Sequence, residues 1–223
     1  ALEQAGYDWR IIEKNAALGG TWAENRYPGC GVDTPSHFYS YSFAANPDWT
    51  RYFCGSEELR NYLQTFADER NLSRNIEFGT QVEAAHWDKA RAQWLVDIHS
   101  DEATRQESWD IVVAATGHFN EPRGPRFSGE ETFQGTLVHT ARWPANLDLK
   151  GKRVAVVGTG ASAMQLVPTI ADSVASLTIF QRTAQWARPV PEYRQQVDER
   201  SARLFPHVPL YGRWYRFAQM WRY

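Results

Sequence analysis

The chain has 223 residues, 43% apolar, 14% aromatic and 22% charged, with a formal net charge of −2. That length suits one large or two small domains with a sizeable core, and the near-zero charge argues against a dedicated nucleic-acid surface. Two cysteines, Cys30 and Cys54, are too few for a disulfide framework and are not a metal-type pair, so no metal is expected and a reducing, cytoplasmic setting is.

No apolar run approaches the roughly 20 residues of a membrane helix, and the N-terminus lacks the basic-then-apolar pattern of a signal peptide. The chain opens on Ala1 rather than Met, inside a stretch, Ala1–Ala5, that reads as a helix end closed by Gly6. An internal piece of a longer protein is therefore expected. Tyr7–Glu13 reads as a short buried strand. Residues 15–49, rich in Gly, Pro, Asn and aromatics, read as ordered loop that wraps something. The stripe Leu59, Tyr62, Leu63 and Phe66 predicts a helix over 57–70. Strands are predicted at 76–78, 82–87 and 94–98. Asp110–Ala115, apolar after its first residue and ending at Thr116-Gly117, predicts a buried parallel strand. Residues 118–152 carry most of the Pro and Gly punctuation and read as a domain junction. A buried strand at 153–157, a helix at about 161–171 kinked by Pro168, and a strand at 177–180 follow.

Two stretches carry the chemistry. In a nucleotide-binding βαβ unit the second strand often ends in a carboxylate that accepts hydrogen bonds from the ribose hydroxyls. Glu13 closes its strand in that way. Leu18-Gly19-Gly20-Thr21-Trp22 then supplies two glycines that let backbone approach a phosphate or ribityl chain, a hydroxyl, and a flat indole. The glycine-rich turn that should precede such a strand is absent. Further on, Arg153–Val157 runs into Gly158-Thr159-Gly160-Ala161-Ser162-Ala163, a G-x-G-x-x-A turn between strand and helix. Its glycines and helix N-terminus suit a pyrophosphate. The next strand ends in Gln181-Arg182-Thr183. Arg182 would attract a 2′-phosphate where a carboxylate would repel it, so this site reads as NADPH and the Glu13 site as FAD.

Phe133-Gln134-Gly135-Thr136-Leu137-Val138-His139-Thr140-Ala141-Arg142-Trp143-Pro144 matches F-x-G-x-x-x-H-x-x-x-W-P and resembles the fingerprint of type I Baeyer–Villiger monooxygenases. Gly19–Trp22, Asn25–Gly29 and Ala115–Gly117 agree, so the resemblance covers nearly the whole chain. Val32–His37 followed by Tyr39–Phe43 is most similar to the 4-hydroxyacetophenone monooxygenases. The resemblance implies an α/β fold of two Rossmann-like, three-layer dinucleotide-binding domains, both incomplete. These are an FAD-binding domain over 1–145, lacking its first strand and G-x-G-x-x-G turn, and the first part of an NADPH-binding domain over 146–223.

It further implies that Glu13, Gly20, Thr21, Trp22, Asp33, Tyr39, Val82, Thr116 and Gly117 serve FAD. Gly158 to Ala163 with Gln165 would bind the NADPH pyrophosphate, and Arg182 with Thr183 its 2′-phosphate. Phe133, Gly135, His139, Trp143 and Pro144 would form a mobile linker. Asp33 would position a catalytic Arg expected beyond Tyr223. Two departures stand out: Gly31 where other branches carry Arg, and Ala163 where a third Gly is usual. The implied activity is insertion of one atom of O2 beside a ketone carbonyl, possible substrates including aryl ketones, with the fragment inactive alone. An N- or S-oxygenating flavin monooxygenase is the competing enzyme, disfavoured by Trp143-Pro144, and a non-catalytic NADPH-binding module is the competing class. No C-x-x-C pair supports a disulfide reductase. The aromatic, basic stretch Trp214–Tyr223 reads as a core-facing helix rather than one lying on a membrane surface.

Overall fold

The computed structural model describes residues 2–117, 119–208 and 210–222. Ala1 and Tyr223, which fall in two of the expected segments, lie outside the described residues. In chain order the elements are β1 (Ile11–Ile12), α1 (Thr21–Glu24), α2 (Ser36–Tyr39), α3 (Ser56–Glu69), β2 (Ile76–Glu77), β3 (Thr80–Asp88), β4 (Gln93–Ser100), β5 (Thr104–Trp109), β6 (Arg153–Val157), α4 (Ala161–Ile170), β7 (Ser176–Phe180), α5 (Glu199–His207) and α6 (Tyr211–Arg222). The fold is α/β, and it divides into two compact units, Ala1–Thr21 with Leu63–Glu121 and Trp22–Tyr62 with Pro122–Tyr223. These units do not follow a boundary at 145/146, because the aromatic segment 22–62 clusters with the C-terminal half.

In the first unit, Glu3–Ala5 is a single 3-10 turn closed by Gly6 at φ 76°, the left-handed cap expected from sequence. β1 pairs in parallel with β2, and β3, β4 and β5 form an antiparallel meander. Ile98, fully buried, and Val96 fill its inner face. β3 has a bulge between Val82 and Ala84. Arg105 binds both carboxylate oxygens of Glu77 at 2.7 Å and Glu107 at 2.7 Å. Arg10 joins the same two glutamates, so alternating charges link β1, β2 and β5. β5 was not predicted: Thr104-Arg-Gln-Glu-Ser-Trp109 holds a single apolar residue, and its ladder with β4 outweighs its polarity.

The expected strand at 110–115 is not formed. Residues 111–117 carry no ladder partner among the described residues, and Ile111 and Val113 are 71% and 80% exposed. Apolarity marks a segment able to be buried, whereas a strand exists only through hydrogen bonds to a neighbour.

In the second unit two small cores sit side by side in sequence. One gathers Val32, Trp49, Phe53, Cys54 and Leu59, the other Tyr27, Cys30, Leu166 and Ile170. β6 pairs in parallel with β7 and α4 crosses between them, with Pro168 inside the helix as expected. β6 is not buried on both faces: Arg153, Ala155 and Val157 are exposed, so only the Val154 and Val156 face is covered. Both cysteines are buried free thiols. Burial raises both pKa values, that of Cys54 to about 11, which keeps them protonated and unreactive.

The C-terminal stretch is helical, with α5 capped by the Asp198 carboxylate accepting from the Ser201 N–H at 3.0 Å. α6 is fastened by Arg216, whose guanidinium donates to the carbonyls of His37 (2.8 Å) and Ser40 (2.7 Å) at the end of α2. A short helix leaves its last carbonyls without intrahelical partners, and the His37 carbonyl also accepts from the Ser40 hydroxyl at 3.1 Å. The His37 ring stacks on Phe205 at 3.7 Å and meets Tyr215 edge-on. It is 5% exposed, and neither ring nitrogen has a hydrogen-bond partner.

Burial holds His37 well below the ordinary histidine value, at about 4, and the Pro47 carbonyl, short of hydrogen-bonding geometry, offsets this only in part. The unfolded chain therefore binds more protons between about pH 6.5 and 4, so stability is complete above 6.5 and is lost as the pH falls through that window. The loss should reach the order of 3 kcal/mol. Denaturant unfolding at pH 7 and pH 5 should show about 2 kcal/mol of it, and His37→Phe should flatten the difference.

Candidate functional site

Glu13 follows β1 directly and sits at the C-terminal end of a parallel pair, the end where α/β sheets bind ligands. Its backbone is fixed on both sides: Glu13 N–H donates to Glu77 O at 2.9 Å and Thr80 N–H to Glu13 O at 3.1 Å. Its carboxylate accepts from the Asn15 N–H at 2.8 Å, which orients it and leaves its other oxygen for a hydroxyl. Gly19 and Gly20 both take positive φ, 119° and 49°, and no atom lies within 4 Å of a Cβ placed on Gly20. The backbone there is open to close approach, and Thr21 begins α1. Val82 stands at the β3 bulge, 43% exposed, and Gly117 has φ 71°. These residues share the first unit.

Thr116 belongs to the first unit as well, whereas Trp22, Asp33 and Tyr39, also expected to serve FAD, lie in the second. Trp22 donates its indole N–H to the Tyr39 hydroxyl at 3.2 Å, with the rings edge-to-face at 5.7 Å, so the two expected ring-lining side chains form one aromatic corner. Asp33 is exposed. The strand-like segment before it is pinned, with Val32 N–H donating to Cys54 O at 3.0 Å and Ser56 N–H to Cys30 O at 2.9 Å. Gly31 pairs with Gly55 across this contact, and a Cβ on Gly31 would stand 2.7 Å from Cys54 O. The departure from Arg at this position therefore goes with a close backbone approach that no side chain could share.

The turn after β6 has the shape a pyrophosphate needs. Gly158 has φ 102° and Gly160 is the N-cap of α4. Nothing lies within 4 Å of a Cβ built on either, so the approach to the helix N-terminus is open. Gly158 N–H donates to Phe180 O at 2.9 Å, and Gln181 donates to the Thr159 hydroxyl at 3.1 Å, tying the turn to the end of β7. Arg182 and Thr183 follow, both exposed. Ala161, Ser162 and Ala163 form the first turn of α4. Gln165 is engaged within the protein: its amide N–H2 donates to Gly31 O and to the Tyr193 hydroxyl, both at 2.8 Å, and its side-chain carbonyl accepts from the Tyr27 hydroxyl at 2.7 Å.

The 133–144 segment also has local reasons for its residues. The Phe133 ring lies 2.4 Å from where a Cβ on Gly135 would be, so Gly two residues after the Phe lets the ring fold back over the backbone. His139 caps the 3-10 turn Thr140–Arg142, its Nδ1 accepting from Ala141 N–H at 3.1 Å. Arg142 pairs with Glu24 at 3.2 Å, and Trp143 packs against the core of Tyr27, Cys30, Leu166 and Ile170. The 133–144 segment and the 22–30 loop are thus parts of one packed structure.

Sequence reasoning missed Tyr27 and Tyr193. Tyr27 lies inside a recognised motif, but a hydroxyl partner 138 positions away leaves no local trace. Tyr193 sits in the Pro-rich segment after β7, with no periodicity to mark it. Among the described residues no group of His, Cys, Asp or Glu could hold a metal, and no helix is long and apolar enough to cross a membrane.

A parallel β6–α4–β7 unit with an open G-x-G-x-x-A turn defines a Rossmann-like dinucleotide-binding protein. The model of the flavin-binding monooxygenase-like family matches residues 30–190, and that of an NAD(P)-binding Rossmann-like domain matches residues 1–54. The chain belongs to the flavin-binding monooxygenase-like family. It is 40% identical over its whole length to an uncharacterised monooxygenase of Sinorhizobium fredii, covering 34% of that protein. It is 44% identical, over 82% of the chain and 34% of the relative, to a Baeyer–Villiger monooxygenase of Streptomyces coelicolor. Its fold superposes on cyclohexanone monooxygenase from Rhodococcus sp. Phi1 bound to NADP+ with a TM-score of 0.81 and 33% identity, covering 90% of this chain and 38% of that one. The chain thus spans about a third of the length of these curated relatives.

Proposed function

We propose that the chain is the cofactor-handling part of a Baeyer–Villiger monooxygenase, which uses FAD, NADPH and O2 to convert a ketone into an ester or lactone. The observation that carries this is the Phe133–Pro144 fingerprint, packed through Trp143 onto the core that holds Leu166 of the dinucleotide helix. Similarity to proteins named Baeyer–Villiger monooxygenase supports it.

In this reading residues 1–145 serve FAD and residues 146–223 begin the NADPH domain. Glu13 accepts from the adenosine ribose, and Gly20 and Thr21 let the backbone approach the cofactor. Trp22 and Tyr39 line the flavin, the Val82 backbone contacts the adenine, and Thr116 and Gly117 serve the same cofactor. Gly158 to Ala163 receive the pyrophosphate, with the α4 N-terminus supplying free N–H groups. Arg182 and Thr183 read the 2′-phosphate. Bound FAD supplies the redox and oxygen chemistry. The protein's part is to hold the nicotinamide and ketone in place and to keep water out. Asp33 carries a fixed negative charge that can orient a cationic side chain beside the reacting atoms.

The resemblance of Val32–His37 and Tyr39–Phe43 to 4-hydroxyacetophenone monooxygenases implies an aryl ketone as substrate, and two buried free thiols favour a reducing compartment, the cytoplasm. The test is product analysis with the full-length protein. Ketone should accelerate NADPH consumption and appear as ester, and an amine or sulfide should not be oxygenated at a comparable rate. Preferential N- or S-oxygenation would overturn the Baeyer–Villiger reading, and NADPH binding without turnover would overturn the enzymatic one.

A further inference from the structure

We propose that Gln165 is a positioning residue that ties the dinucleotide helix α4 to the loop carrying Asp33, rather than a ligand of the pyrophosphate. The inference rests on the functional reading above. A primary amide has two donor hydrogens, and both are engaged within the protein, one on Gly31 O and one on Tyr193 OH. Reaching a phosphate would require giving one of them up. The side chain is half-buried, one turn into α4 and on the face turned toward residues 27–31.

The same face is fastened by backbone. Gly29, at φ 81°, lies so close to α4 that a Cβ there would be 2.6 Å from Gln165 O and 2.3 Å from the Thr169 hydroxyl. Gly31 leads through Val32, 1% exposed and hydrogen-bonded to Cys54 O, to Asp33 two residues on. The third partner returns to the same place: the Tyr193 hydroxyl is held above the ordinary tyrosine range by burial, with the Asp33 charge adding to it and the Gln165 hydrogen bond acting against it. A displacement of the α4 N-terminus on nucleotide binding is therefore handed, through one rigid amide, to the carbonyl two residues before Asp33.

The test compares the wild-type full-length protein with Gln165→Leu, Tyr27→Phe and Tyr193→Phe. NADP+ affinity is measured by calorimetry, and amide exchange over residues 29–34 with and without NADP+. In the wild type, NADP+ should slow exchange in that segment by about tenfold, and Gln165→Leu should bind NADP+ within about threefold of wild type yet lose that protection. kcat should fall about tenfold with KM for NADPH little changed. The two Tyr→Phe variants should show the same pattern more weakly, and adding Tyr193→Phe to Gln165→Leu should cost almost nothing more.

A rise of tenfold or more in the NADP+ dissociation constant confined to Gln165→Leu would overturn the proposal and make Gln165 a nucleotide ligand. Variants that only lower the melting temperature, with protection and kcat intact, would overturn it too and leave a purely structural amide. If the wild type turns over no ketone, the Baeyer–Villiger reading fails, whereas the affinity and exchange data still decide the role of Gln165.

Discussion

Gly29→Ala should destabilise the protein by about 2–5 kcal/mol, a large part of the roughly 5–15 kcal/mol that holds an ordinary domain folded. Two effects add. At φ 81° a residue with a Cβ suffers the left-handed penalty of about 1–2 kcal/mol. The new methyl would also stand 2.3 Å from the Thr169 hydroxyl and 2.6 Å from Gln165 O, and overpacking of that kind costs about 1–3 kcal/mol. Neither neighbour can step aside cheaply. The Thr169 hydroxyl is committed to Gln165 O at 2.8 Å, and Gln165 O belongs to the helix backbone. Denaturant unfolding should show the loss, and adding Thr169→Ala should return only the hydroxyl's share of it. Gly20→Ala is the informative comparison. It has positive φ but open space, so it should cost only the conformational term.

Arg182→Ala should weaken NADPH by about ten- to a hundredfold and leave NADH nearly unchanged, because a charge-assisted phosphate contact is worth about 1.5–3 kcal/mol. Arg182 is exposed at the end of β7, so the discrimination should also shrink with salt as the charge is screened. Titrating both nucleotides at two ionic strengths checks both points. Equal loss of both nucleotides would mean that Arg182 serves the turn rather than the 2′-phosphate.

The legible and illegible parts of this chain differ in how far apart the deciding residues lie. The β6–turn–α4–β7 unit was readable because each of its signals is local: an apolar strand, glycines at the turn, and a helix of one-sided apolarity, all within about 30 positions, the span of a βαβ unit. Glu13 was readable for the same reason, as a carboxylate closing an apolar strand.

The apolar run 110–115 misled, because strand formation depends on a distant neighbour that periodicity does not contain. β5 was missed for the converse reason, since its polar residues are held by a ladder with β4 and by the Arg10–Glu77–Arg105–Glu107 charges. Gln165 lies in the dinucleotide helix, and its partners Gly31 and Tyr193, 134 and 28 positions away, leave no trace in the local sequence. Gly31 itself looked like a local departure from a family pattern. The close approach of Cys54 O shows why a side chain is absent there.

Oxygen insertion beside a carbonyl can be followed by isotope labelling. Full-length protein supplied with NADPH, a ketone and 18O2 in ordinary water should give an ester or lactone carrying one 18O atom, with one NADPH consumed per product. An ester without label, or labelled only when H218O replaces the water, would contradict the account.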